Sequence, residues 1–397
     1  MLSFDEALAR VLDAARRLET ETVRLDDALG RVLAENLVAD HPLPAFDYSA
    51  MDGYALWSGD LSGSGPWRLP VEGETRTGQV AVPHTSGTAR RIFTGAEVPA
   101  GADCVVLQED VERSGESVLI KERAVTGDNV RKRGEDLRSG AVALEAGQRL
   151  GPAQLGLAAA LDRGELRVTR RPRVAILCTG DELRPAGSPA RPGTIPNSNG
   201  PALAAAVLNA GGVPRLAPSI GDDRERTIAA IRAALADSDV LLTVGGVSVG
   251  DHDQVRPALE AAGAELEFWK VKLKPGKPLV FGRAGAAWVL GLPGNPVSAL
   301  LTFLLFGAPL LRALQGDRRP VAPIRRGRLV EAIRQKPGRR SYYRARIEDG
   351  ERVIPLANQA SGAPTSMAWA DALLVVPEDA SGLEAGACVE YLLLLEL

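Results

Sequence analysis

Apolar and polar positions follow three different rhythms along the 397-residue chain, and each rhythm predicts a different kind of element. Near the start, Leu8, Val11, Leu12, Ala15 and Leu18 recur at helical spacing and give one buried face. Ser3 and Glu6 ahead of them form an S-x-x-E capping box, so the pattern predicts a capped N-terminal helix. Between residues 41 and 140 the rhythm shortens to alternating runs, ADCVVLQEDVER (102–113) and ESVLIKER (116–123), punctuated by Gly and Pro. That segment reads as a β-rich insertion. A helical pattern returns in 141–171 around AQLGLAAAL (153–161), where a helix is expected to pack against the N-terminal one.

From Arg173 to about Gln315, buried-strand runs alternate with helical ones. The strands are RVAILC (173–178), DVLLTV (239–244) and AWVLGL (287–292); the helices are PALAAAVLNA (201–210), closed by Gly211, and RTIAAIRAAL (226–235). Apolar strands between such helices predict a parallel sheet covered on both faces. Residues 320–397 return to short strands, SYYRARI (341–347), LLVVPE (373–378) and ACVEYLLLLEL (387–397). The expected architecture is therefore a multidomain α/β protein. A helical linker domain (1–40 plus 141–171) carries an inserted β-rich lid domain (41–140). A central doubly wound, mostly parallel sheet domain (172–319) and a small all-β, barrel-like C-terminal domain (320–397) follow.

Composition narrows the function. The chain is 45% hydrophobic and 24% charged, which excludes wholesale disorder. Lys+Arg total 47 against 50 Asp+Glu, a net charge of −3, so no nucleic-acid partner is expected, although a local basic pocket is compatible. The most apolar stretch, ALLTFLLFGAPLL (299–311), is shorter than the ~20 residues a spanning helix needs and contains Pro309, so no membrane association is expected. The N-terminus has no apolar h-region of a signal peptide. Cys104, Cys178 and Cys388 are scattered and form no C-x-x-C pair, which points to a reducing cytoplasmic setting. With only His41, His84 and His252 available, a His-rich metal site is excluded; a bound metal would sit on carboxylates, which favours a hard cation such as Mg²⁺.

Ligands of open α/β sheets bind beyond the carboxyl ends of the strands, and four loops of the central domain fall there. TGDEL (179–183) brings Asp181 and Glu182; GGVSVGDHD (245–253) brings Gly245, Gly246, Ser248, Gly250, Asp251 and Asp253. GLPGNPVS (291–298) brings Pro293, Gly294 and Pro296, the last at a helix N1 position, and SIGDD (219–223) places Asp222 and Asp223 before a helix. Glycine turns let backbone N–H groups approach a phosphate. Carboxylates beside a phosphate repel it unless a divalent cation bridges them. The combination suggests a Mg²⁺-dependent phosphate compound, and KLKPGKP (272–278) adds Lys274 and Lys277 to neutralise further charge.

Each loop alone has a plainer reading: GGVSVG as a tight turn, Asp181 and Asp222 as helix N-caps, the lysines as solvated surface. Outside this domain, FDYSAMDGYA (46–55) gathers Phe46, Tyr48, Met51 and Tyr54 around Asp52, either as a hydrophobic plug or as a loop aiming Asp52 at a ligand. IFTGAEVPAGAD (92–103) supplies Thr94. RKRGEDLRSG (131–140) supplies Arg131, Glu135 and Asp136, on a solvated face or in a binding loop.

Taken in order, FDYSAMDGYA, IFTGAEVP, RKRGEDL, TGDEL, GGVSVGDHD, KPGKP and GLPGNPVSA resemble the molybdopterin molybdenumtransferase family, the MoeA/gephyrin type, across nearly the whole chain. The resemblance implies a cytosolic transferase of molybdenum cofactor synthesis that converts adenylyl-molybdopterin and molybdate, with Mg²⁺, into molybdenum cofactor and AMP. It implies a homodimer in which the lid of one subunit faces the central pocket of the other, with a molybdopterin adenylyltransferase as candidate donor of the intermediate. By motif, Glu182, Asp222 and Asp253 resemble the carboxylates that hold the metal or position the pyrophosphate. Lys274 and Lys277 resemble molybdate or phosphate contacts, and Pro293, Gly294 and Pro296 shape the anion-binding turn. Asp52, Thr94, Arg131 and Asp136 resemble the lid's contribution, and ANQASGAP (357–364) loosely supplies Ser361. Tyr48 and Gln254 depart from the family pattern, standing where Asn and an aromatic are common. Two other functions fit parts of the same sequence: the adenylyltransferase step, which shares the central domain but not the lid, and a non-catalytic cofactor carrier. Molybdate and tungstate are not distinguished by these residues.

Overall fold

The computed structural model describes residues 1–221, 223–246 and 255–397. Helix α1 (Phe4–Ala14) starts at the expected box: the Glu6 N–H donates to Ser3 Oγ, and the Ser3 N–H donates to Glu6 Oε2 at 2.8 Å. Its apolar face, Phe4, Ala7 and Val11, joins the largest core cluster, which belongs to the central and C-terminal units. The Phe4 ring lies 5.1 Å from Phe306 and 5.7 Å from Tyr342, and Asp5 forms a bidentate ion pair with Arg340.

Helix α2 (Pro152–Ala160) packs elsewhere, in a cluster with Ala28, Leu33 and Leu150. The expectation that the two helices pack together is therefore corrected. Periodicity showed that each had an apolar face but not which partner it met; α2 buries only Ala158 deeply. The linker stretches do meet, through strand pairs instead. Thr20–Arg24 runs antiparallel to Glu165–Thr169, and Leu37–Val38 to Val142–Leu144, so the linker is mixed α/β rather than purely helical.

The lid holds a six-stranded sheet ordered Cys104–Leu107, Gly53–Leu56, Ala89–Ile92, Trp67–Thr75, Ser117–Ile120, Val111–Ser114. Its core includes Tyr54, Leu56, Val106, Val118 and Ile120.

The central sheet comprises β1 (Arg173–Cys178), β2 (Val213–Leu216), β3 (Val240–Val244), β4 (Ala264–Lys270), β5 (Pro278–Ala284) and β6 (Ala287–Leu292), in the order β2-β1-β3-β6-β5-β4. The first four are parallel, as the apolar runs predicted; β5 and β4 append as antiparallel neighbours. Helices α3 (Asn199–Asn209), α4 (Arg224–Leu235) and α5 (Val255–Ala261) cover it. α3 packs into the cluster that contains Val174, Ile176 and Leu242, and α4 and α5 into the one on the opposite side-chain set, Ala175, Leu177 and Leu241.

After β6 the chain enters α6 (Pro296–Thr302) and continues through a π turn (Phe303–Gly307) into α7 (Ala308–Leu314). This path runs 19 residues, longer than the apolar stretch in the sequence suggests, with a π turn directly ahead of Pro309, the kind of irregularity at which a helix accommodates proline. It is long and apolar enough to cross a membrane by length alone, yet 83% of its apolar window is buried inside the protein as a core helix.

The C-terminal sheet closes on itself: Arg340–Glu348 pairs with both Arg352–Pro355 and Ala372–Val376, completing a barrel with Arg325–Leu329 and Cys388–Leu393. A two-residue strand of the central unit, Leu273–Lys274, is annexed to it in parallel with Arg340–Ser341.

Because Phe4 knits α1 to both units, Phe4→Ala is expected to destabilise the chain by about 3 kcal/mol, read as a lower urea midpoint; an unchanged midpoint would show that α1 is not an anchor.

Candidate active site

Two cavities meet beyond the carboxyl ends of the parallel strands. The first, about 490 Å³, is lined by Thr179, Gly180 and Glu182 after β1, by Gly245 and Gly246 after β3, and by Pro293, Gly294, Asn295 and Pro296 after β6. The adjacency of β1, β3 and β6 in the sheet brings these three loops side by side. Glycine is required where they crowd. Gly245 has φ +94°, and a Cβ there would stand 2.8 Å from the Thr179 carbonyl. Gly180, at φ +145°, takes a backbone conformation strained for any other residue, with the Glu182 carboxylate folded beside it. Asn199 fixes the third loop by donating to the Gly294 carbonyl at 2.8 Å.

Glu182 is the sole carboxylate among the described residues that line this cavity, alongside the oxygen donors Thr179, Ser198, Asn199 and Asn295. These are hard donors of the kind Mg²⁺ takes, with no thiol or imidazole among them. No cluster of three or more His, Cys, Asp or Glu capable of holding a metal exists among the described residues. Asp222, Ser248, Gly250 and Asp253 lie outside the described residues. The neighbouring Asp223 is the N-cap of α4, accepting from the Arg226 N–H at 2.8 Å. Asp181, in contrast, precedes no helix: TGDEL turns into the short strand Leu183–Arg184.

The second cavity, about 430 Å³, shares Pro278, Pro293 and Asn295 with the first. Lys274, Lys277 and Ser298 of the central unit form one wall; Arg339, Tyr343, Arg344, Gln359 and Ser361 of the barrel form the other. No carboxylate among the described residues lines it. Among the described residues, neither lysine nor either arginine has an ion-pair partner.

Arg344 is the unusual one. It is only 1% exposed and is held by Ser366 Oγ (3.2 Å) and the Ala360 carbonyl (3.3 Å). Burial lowers its pKa, since no anion offsets the lost hydration. A desolvated guanidinium without a counter-charge is costly, and an anion in the cavity would relieve it. Sequence reading found the two lysines but missed Arg339 and Arg344. The available signal was an arginine set among the apolar residues of SYYRARI.

The lid residues sit apart from these cavities in the single chain: none of Asp52, Thr94, Arg131 and Asp136 lines either one. The lid does bring its own motifs together. Tyr48 pairs with Arg131, and Ser49 with Val130, so the FDYSAMDGYA and RKRGEDL loops are neighbours. Asp52 Oδ1 accepts from both the backbone N–H and the hydroxyl of Thr94, each at 2.8 Å. Those bonds, with the Arg91 charge as a lesser cause, hold the Asp52 carboxyl below its ordinary pKa. Arg131 pairs with Glu135 at 3.2 Å, and the Asp136 N–H donates to the Leu43 carbonyl at 3.0 Å. Phe46 and Met51 are 44% and 45% exposed, so this part of the loop is not a buried plug, while Tyr54 is buried in the lid core.

Three family models cover the chain in order: the MoeA N-terminal region (domain I and II) over residues 2–161, a probable molybdopterin binding domain over 175–313, and the MoeA C-terminal region (domain IV) over 326–394. A protein of Mycobacterium tuberculosis named molybdopterin molybdenumtransferase 2 is 39% identical over 97% of this chain and 98% of its own length. The molybdopterin molybdenumtransferase of Bacillus subtilis is 35% identical over 99% of this chain and 94% of its own. Among solved structures, a molybdopterin biosynthesis MoeA protein from Pyrococcus horikoshii superposes with a TM-score of 0.87 at 30% identity, covering 99% of this chain and 100% of that one.

Since Thr94 supplies both hydrogen bonds to Asp52, Thr94→Val should raise the Asp52 titration midpoint by removing the hydroxyl donor, as followed by carboxyl-carbon NMR. The depressed pKa keeps Asp52 ionised to lower pH than an ordinary carboxylate, so its interaction is lost only as pH falls through the folded-state value. An unmoved midpoint would contradict the assignment.

Proposed function

Because the chain belongs to the molybdopterin molybdenumtransferase family, we propose that it inserts molybdenum into molybdopterin, taking the adenylylated form and molybdate to molybdenum cofactor and AMP. The observation that carries this reading is the cavity lined by Lys274, Lys277, Arg339 and Arg344 with no carboxylate among its described residues, set against a glycine-turn cavity on the same sheet edge. The first has the charge for a metal oxyanion, and the second has the backbone turns and helix start that suit a phosphate-bearing ligand.

In this reading the pterin nucleotide lies along Gly180, Gly245, Gly246 and the Pro293–Pro296 turn, and molybdate sits beside it against the four cations. Lys274 and Lys277, open to solvent, draw the dianion in; Arg344, held by Ser366 and Ala360, gives it a fixed seat. The reaction breaks a phosphoanhydride and releases AMP while molybdenum passes to the dithiolene sulfurs. Holding the two substrates at the shared wall of Pro278, Pro293 and Asn295 is the main contribution of the protein.

Magnesium is the proposed cofactor, held by Glu182 with Asp222 and Asp253. When bound, it would offset the charge of the bridging phosphates. Two copies are proposed to pair so that Asp52, Thr94, Arg131 and Asp136 of one lid face the cavities of the other subunit. This would join groups that a single chain keeps apart. We place the enzyme in the cytosol, with the molybdopterin adenylyltransferase as donor of its substrate.

The test uses purified protein with adenylylated molybdopterin, Mg²⁺ and molybdate, following AMP release. Wild type should release AMP in a molybdate-stimulated way, and Asp52→Ala or Lys277→Ala should abolish it without loss of fold. Mixing and re-associating those two inactive variants should restore about a quarter of wild-type activity, because a mixed pair contains one intact lid–cavity combination. ATP consumption with molybdopterin would indicate the adenylyltransferase step instead, and a wild type that binds molybdopterin but releases no AMP would favour a carrier.

A further inference from the structure

Asn295 occupies the N-cap position of α6, where an asparagine side chain ordinarily accepts a hydrogen bond from the first helical turn. Here it makes no capping bond. The Val297 N–H donates instead to the carbonyl of Ser361, from the barrel, at 3.1 Å. The amide of Asn295, freed from capping, donates to Ser361 Oγ at 3.1 Å. One barrel residue thus caps a helix of the central unit while that helix's own cap residue grips its hydroxyl.

The exchange matters because of where it lies. Asn295 lines both cavities, and Ser361 lines the cationic one. That cavity has two walls from two units. Along one edge the walls are joined by strand pairing of Leu273–Lys274 with Arg340–Ser341, near the Lys272–Glu378 ion pair at 2.6 Å. The Asn295/Val297–Ser361 contacts join them at the α6 end. The Ser361 loop in turn carries Arg344: Gln359 accepts from the Arg344 N–H at 3.0 Å and donates to the Arg344 carbonyl at 2.9 Å, while Arg344 Nη2 donates to the Ala360 carbonyl.

We propose that Asn295 is a positioning residue, whose clasp on Ser361 holds the barrel's half of the oxyanion pocket, Arg344 included, in register with Lys274 and Lys277. This rests on reading the cationic cavity as the molybdate site. The clasp sets the spacing of the cations across the pocket, and because Asn295 also borders the first cavity the test uses molybdate alone. Ser361 also lines the pocket, so its own contact with the anion must be separated from its role in the clasp.

Calorimetric binding of sodium molybdate to the full chain makes that separation. Wild type is compared with Lys277→Ala, Asn295→Ala, Ser361→Ala, Ser361→Thr and the Asn295→Ala/Ser361→Ala double variant. Asn295→Ala should weaken binding about fivefold, the scale of one lost hydrogen bond. The double variant should bind no more weakly than the weaker single, because each removes the same clasp. Ser361→Thr, which keeps the hydroxyl, should stay within about twofold of wild type. Faster amide exchange across residues 357–362 in Asn295→Ala, at an unchanged melting temperature, should accompany the loss.

If Lys277→Ala weakens binding while Asn295→Ala leaves it unchanged, or if the two losses simply multiply in the double variant, the clasp is wrong and the pocket stands. Should wild type not bind molybdate, or Lys277→Ala bind as well as wild type, the reading of the cavity itself fails. If Asn295→Ala does not fold, Ser361→Ala and Ser361→Thr decide: equal binding by both overturns the clasp.

Discussion

Positive charge that the fold leaves uncompensated is the constraint around which the rest of this structure is arranged. At several places the chain pairs its cations: Arg170 with Asp239, Arg149 with Asp317, Arg340 with Asp5. Around one cavity it does not. Two lysines at the rim and two arginines on the barrel wall share a space that no carboxylate among the described residues lines, and one arginine is buried. Like charges brought together in this way repel, and a buried guanidinium forfeits its hydration. The arrangement persists because strong packing on either side holds it: the apolar helical path behind Asn295, and a closed barrel whose strand bears Arg344.

That same packing explains why the two cavities adjoin. A parallel sheet delivers its loops to one edge, and the order β1-β3-β6 makes three of them neighbours. The glycines there are dictated by the backbone, as the Thr179 carbonyl against Gly245 and the φ of +145° at Gly180 illustrate. The barrel then supplies a wall that the sheet alone lacks. The lid, in contrast, organises Asp52, Thr94 and the Tyr48–Arg131 pair on its own sheet, away from both cavities. A second copy of the chain is the proposed means of uniting them.

Much of this was legible in the residues. The capping box at Ser3, the three buried strands, Pro296 at the head of its helix and the loops after the strands are local signals, set by propensity and turn chemistry, and the structure has them where the pattern placed them. What pattern alone misses is pairing at long range. The partner of α1 was misread because periodicity defines a face, not what covers it. Strand β4 went unread because AELEFWK mixes charge into its alternation, as befits the edge of a sheet. The arginine in SYYRARI hinted at Arg344, but its place and that of Arg339 beside Lys274 depend on a strand some 65 residues further on folding back. Asp223 shows the opposite case: an acidic residue beside a suspected site that proves to be a helix cap.

The account depends on an oxyanion occupying the seat between the lysines and the buried arginine. A crystal of the full chain soaked in molybdate, with data collected above and below the molybdenum absorption edge, examines that seat directly. The account predicts one anomalous peak within contact distance of Lys277 Nζ and the Arg344 guanidinium. An empty cavity beside an occupied site elsewhere on the chain would contradict it.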